Sequence, residues 1–141
     1  MNIRYLGAEL DVESRNDLSP LLNDLGQDVI ILHHGPINEM SHASFQLAQA
    51  CYAGPDETIE GYCSLIENLS SESKAIWDSC FVRVFDIGFE CGTSPSRYRF
   101  ELRPLTITRV AAIGASVAFS LYPESIQTSP VNAEKKDGSC L

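Results

Sequence analysis

The stretch IRYLGAELDVE, Ile3 to Glu13, alternates along its length. Leu6, Ala8, Leu10 and Val12 fall on one side; Gly7, Glu9, Asp11 and Glu13 fall on the other. A period of two predicts a strand with one face in a core and one face in water. The wet face of this strand is acidic. A sheet that is wet on one side is mainly antiparallel and needs helices only on its other side.

The neighbouring segments agree with that layout. Asn16 to Gly26 reads as a short helix. Ser19 or Asp17 serves as its cap, Pro20 suits its first turn, and Leu18, Leu21, Leu22 and Leu25 form one stripe. Asp28 to His34 is apolar on both faces at Val29-Ile30-Ile31-Leu32, which predicts a central strand. Gly35-Pro36 ends it. Ala43 to Tyr52 is a third strand, reached through a long Gly35–His42 loop. Gly54-Pro55 turns the chain into a helix carrying Asp56, Glu57 and Glu60 in its first turns, where the helix dipole favours carboxylates. Ser70-Ser71 interrupts, and a further helical piece covers Glu72 to Ser79.

Phe81 to Cys91 and Arg97 to Arg103 alternate in turn. Paired as neighbours, they would set Arg97, Arg99 and Arg103 against Asp86 and Glu90 on the outer face, at about 0.2–1 kcal/mol per cross-strand pair. Thr106 opens a last helix with Ile107, Val110 and Ala111 inward, Gly114 stops it, and Ser116 to Tyr122 is the final strand, with Val117, Phe119 and Leu121 inward. The predicted order is β-α-β-β-α-β-β-α-β. The fold class is α+β: a mixed, mainly antiparallel sheet of about six strands with three helices on one face, of ferredoxin-like flavour. Residues 1–123 make a single domain, and 124–141 read as a flexible polar tail.

The 141 residues carry 19 Asp+Glu against 10 Lys+Arg, a net charge of −9. That balance excludes a basic footprint for nucleic acid or for anionic lipid. The N-terminus has no apolar signal region, and no run reaches the length of a membrane span. Five cysteines, an odd number without a CxxC pair, suit reduced thiols, so a cytoplasmic location is expected. The acidic excess lies in the first half of the domain. The bland reading of it is solubility; the functional reading is a basic partner steered in by carboxylates.

Chemistry is sparse. His33 and His34 are adjacent on a strand and point to opposite faces, so they do not readily share an ion; His34 and His42 could. Cys51 is the thiol nearest to them in sequence. None of the five cysteines sits in a nucleophile signature, and there is no glycine-rich phosphate loop, GxSxG or HExxH. No catalytic residue, metal site or cofactor is assigned.

The segment from Arg97 to Tyr122, with Leu105-Thr106, then Gly114-Ala115-Ser116 and the alternating Val117, Phe119 and Leu121 before Tyr122, resembles the closing part of an uncharacterised bacterial family catalogued as domain of unknown function 4279. Residues 57–91 are similar to the part preceding it. The N-terminal half departs, with VIILHHGPINEM lacking the family's tryptophan. The resemblance implies a small α+β protein of the bacterial cytosol, of a kind that includes immunity proteins against secreted toxins. It implies no catalytic residues.

The expectation is therefore a non-enzymatic acidic binding protein, monomer or homodimer. In its most specific form it is a cytosolic immunity protein that neutralises a basic toxin domain, possibly a nuclease. Glu9, Asp11, Glu13, Asp17, Asp56, Glu57 and Glu60 are the expected contacts, with His33 and His34 at the rim. The alternatives are a small enzyme with a Cys/His-centred site and a structural oligomerisation module.

Overall fold

The computed structural model describes residues 3–49, 54–93 and 97–124. The expected flexible tail lies outside the described residues from position 125 on, as does Cys51. Five strands form one mixed sheet in the order β2-β3-β1-β4-β5. They are β1 (Arg4–Ser14), β2 (Val29–Ile37), β3 (Met40–Leu47), β4 (Val82–Glu90) and β5 (Ser116–Tyr122). Helices α1 (Ser19–Leu25), α2 (Pro55–Glu67), α3 (Ser71–Ser79) and α4 (Pro104–Ala112) complete the domain. The class is α+β, with four helices where three were expected, because the break at Ser70 makes two helices. The Ser70 hydroxyl accepts the Ser73 N–H at 3.2 Å and starts α3 afresh.

β1 is the central strand, antiparallel to both β3 and β4. Up to β4 the chain follows the β-α-β-β-α-β connectivity of the ferredoxin-like split βαβ unit, with α2 and α3 together in the second helical position. β5 then adds in parallel to the free edge of β4. A parallel neighbour needs a crossover, and residues 97–115 provide it. This is why the expected strand at Arg97–Arg103 does not exist. The segment carries no ladder; Phe100 instead packs its ring 5.1 Å from Phe89 and 5.7 Å from Phe119. Its alternation records burial of Phe100 and Leu102 against the core, not pairing.

The expected Gly35–His42 loop is also corrected. β2 runs through Gly35 and Pro36 to Ile37, and only Asn38 and Glu39 connect it to β3. Both have positive φ, 50° and 69°, the two-residue turn whose twist suits a hairpin. Pro36 is tolerated because β2 is an edge strand rather than a central one.

All four helices bury their apolar stripes against one face of the sheet. Ala8, Leu10 and Val12 of β1 meet Phe45, Phe85 and Ile87 there, beneath Leu21, Ile59, Tyr62, Ile66 and Trp77. Tyr62 anchors α2 through its hydroxyl, which lies 2.7 Å from the Ala8 carbonyl and 3.1 Å from that of Phe45. The Trp77 indole N–H donates to the Ile113 carbonyl at 2.8 Å, closing the end of α4. On α4 the buried side chains are Thr106 and Val110, with Ile113 just beyond; Ile107 and Ala111, expected inward, are exposed. Phe119 and Leu121 lie on the core side of β5 but remain exposed at the sheet margin. No helix among the described residues is long and apolar enough to cross a membrane.

Candidate functional site

The face of the sheet opposite the helices carries the acidic half of β1 beside polar residues of β3 and a mixed polar and apolar set from β4. On β1 it presents Glu9, Asp11 and Glu13, as the sequence pattern predicts. The register sets Gln46, Ser44 and His42 of β3 beside them. On the other side stand Asp86, Val84 and Val82 of β4. Glu9 and Asp86 are direct cross-strand partners. The alternation fails at one point: a bulge between Tyr5 and Gly7 puts Gly7 at φ 130°, so Gly7 is buried and Leu6 is not on the core row.

These carboxylates are half-buried among one another. Burial raises the Glu9 carboxyl above the ordinary glutamate range, and the charges of Asp11 and Asp86 push the same way. Burial raises Asp11 too; His42 opposes the rise, and Asp86 and Glu13 add to it. Crowded like charges in a partly desolvated setting give this sign. Asp86 is steadied by the Ser120 hydroxyl, 2.7 and 2.9 Å from its two oxygens. The arginines expected opposite Asp86 and Glu90 are elsewhere. Arg99 pairs with Glu101 at 2.8 Å, and Glu90 takes Arg4 at 3.5 Å.

The nine expected contact residues separate into three places. Glu9, Asp11, Glu13 and His33 share the open face. Asp17 and His34 line a different hollow of about 360 Å³, between the β1–α1 connection and the β2–β3 hairpin. There Asp17 accepts the Ser19 N–H at 3.1 Å and its hydroxyl at 2.8 Å, which holds its carboxyl below the usual range. Asp56, Glu57 and Glu60 belong to the helix layer on the far side of the sheet. Asp56 is not an exposed contact. It is buried and bonds Arg103, which also reaches Glu60. Arg109 adds a two-pronged pair with Glu67, at 2.9 and 2.7 Å. Asp56, Glu60 and Glu67 of α2 thus hold α4 in place, while Glu57 is exposed.

The histidines are rearranged by one residue. A register shift between Ile31 and His33 leaves Leu32 as the extra residue and turns His33 to the open face. Without that bulge His34 would stand opposite His42. With it, His34 pairs with Ala43 on the helix side and His33 meets His42, Nδ1 to Nδ1 at 2.8 Å. His34 and His42 therefore do not converge. Cys63 and Cys80 are buried, and burial pushes each thiol up to about 11, the protonated and unreactive regime at neutral pH. Among the described residues no group of three or more His, Cys, Asp or Glu is arranged to hold a metal ion.

Asp86 and His42 are the members of the open face that sequence reasoning did not assign. The alternation of β4 marks Asp86 as polar-facing, but only the β1–β4 register brings it to Glu9. No family model, no curated protein and no solved structure matches this chain.

Proposed function

We propose that the protein is a non-catalytic binding protein whose open sheet face receives a basic protein partner. In its most specific form it is an immunity protein acting in the bacterial cytoplasm against a basic toxin domain. The observation that carries the reading is the Glu9-Asp11-Glu13 row on the central strand, joined by Asp86 and, among the described residues, not covered by a helix. Two of these carboxylates are held at a cost, since burial and like charge disfavour their ionised forms. A cationic partner reverses that sign by supplying opposite charge at a partly desolvated site. Asp56 and Glu60 leave the expected contact set, because they tie α2 to α4.

Co-expression with the product of the adjacent gene, followed by association kinetics, tests the reading. A complex is expected whose association rate falls by about tenfold or more as salt rises, and falls similarly in the triple variant E9Q/D11N/E13Q. A complex indifferent to both salt and these substitutions would sink the open face as the docking surface.

A further inference from the structure

His33 on β2 and His42 on β3 point the same nitrogen at each other. Their Nδ1 atoms are 2.8 Å apart, with ring centroids at 4.9 Å and planes inclined by 47°. The Leu32 bulge creates this meeting. Glu13 lies directly opposite His42 across the β1–β3 register, and Asp11 is one pair further along the same face.

A proton can bridge two imidazole nitrogens at this distance; a metal ion would lie beside the line that joins them, with each ring turned towards it. A late first-row divalent cation binds imidazole nitrogen at about 2.0–2.1 Å, so two nitrogens at right angles on one ion stand about 2.9 Å apart. A tetrahedral ion would spread them to about 3.3 Å. The observed spacing suits the right-angled geometry of Cu(II) or Ni(II). Glu13 and Asp11 supply negative potential at the same spot, and His33 is exposed, so water can complete the coordination.

We infer that His33 and His42 form a two-imidazole site for a late first-row divalent cation of square-planar or octahedral preference, on the acidic face. The bound ion would staple the edge strand β2 to β3. The inference does not depend on a protein partner, and its test uses none.

Ni(II) is the probe, because Cu(II) is reduced by free thiols. Calorimetric titration of the full chain with nickel chloride is expected to show one site per chain. H33A and H42A should each weaken it at least tenfold, and H34A should leave it unchanged. All three variants keep every cysteine, so thiol binding does not mimic this pattern. H33Q and H42Q serve as variants of closer size should an alanine variant unfold. Thermal unfolding gives a second readout: Ni(II) should raise the midpoint of the wild type and of H34A, but not of H42A or H42Q. Equal nickel affinity in all variants, or no uptake by the wild type, overturns the site and leaves the contact as a proton-bridged pair.

Discussion

The Asp56 carboxylate holds Arg103 at two points, accepting its backbone N–H at 2.9 Å on one oxygen and its Nε at 2.8 Å on the other. One side chain thus joins the first turn of α2 to the residue that caps α4. Asp56→Ala should lower stability by about 1–3 kcal/mol, because it removes a buried carboxylate that bonds a part-buried backbone N–H and a guanidinium. Burial alone would raise this carboxyl; the Arg103 N–H, the Thr106 hydroxyl and the Arg103 guanidinium outweigh it and hold it below the ordinary range. The stabilisation is therefore fully present above the unfolded value of about 4 and lost as pH falls through the lower, folded one. Urea unfolding should show the gap between wild type and Asp56→Asn narrowing below about pH 4. A constant gap would refute the ionic part of the account.

Glu9 and Asp11 carry the opposite sign. Their carboxyls are raised in the folded state. The folded protein then binds more protons than the unfolded chain between the two values, so stability rises as pH falls through that window. At neutral pH, Glu9→Gln and Asp11→Asn should each stabilise the fold. The gain should be at most about 1 kcal/mol, because both groups are partly screened by water. Denaturant midpoints at pH 7 and pH 4 measure it: the advantage of each variant should shrink at the lower pH. A loss of stability at pH 7 would show that these acids support the fold rather than burden it.

Trp77 is the only tryptophan and is fully buried. Trp77→Phe removes the donor to the Ile113 carbonyl and leaves space beside Arg83, whose guanidinium carbon sits 5.9 Å from the indole centre. The expected cost is about 2–4 kcal/mol, from a lost buried hydrogen bond and incomplete refilling. Thermal unfolding followed by circular dichroism reads this in the variant. In the wild type, indole emission should shift to the red on unfolding, since the ring moves from the core into water.

The buried thiols give a chemical test of the core. Cys63 and Cys80 should resist alkylation at pH 7.5 in the native protein and react once the chain is denatured. Peptide mass spectrometry separates them from the other cysteines. Rapid native labelling of Cys63 would contradict its placement on the buried face of α2.

Where sequence and structure agree, local pattern was enough. The leucine stripe of α1 and the alternation of β1 follow from one element meeting one core. β5 spans Ser116–Tyr122 as the pattern predicts. Where they part, the deciding contact is distant or off the pattern. Arg97–Arg103 alternates like a strand, but β4 already has β5 as its parallel neighbour. Asp56 looks like a solvated first-turn acid until Arg103, 47 positions away, is brought to it. The histidine pairing turns on Leu32, a bulge that no residue type announces. The open face was legible as an acidic row on β1; its Asp86 and His42 members depend on register, which alternation does not specify.

The central place of β1 has a consequence for synthesis. β1 must pair on both sides with strands made after it, β3 by residue 47 and β4 by residue 90. A chain emerging from the ribosome first completes a three-stranded antiparallel sheet whose apolar face has only α1 to cover it and whose β1 edge is bare. That edge is a template for stray pairing until β4 arrives. Prematurely terminated chains ending between these two strands are thus the form of this protein with the greatest tendency to aggregate.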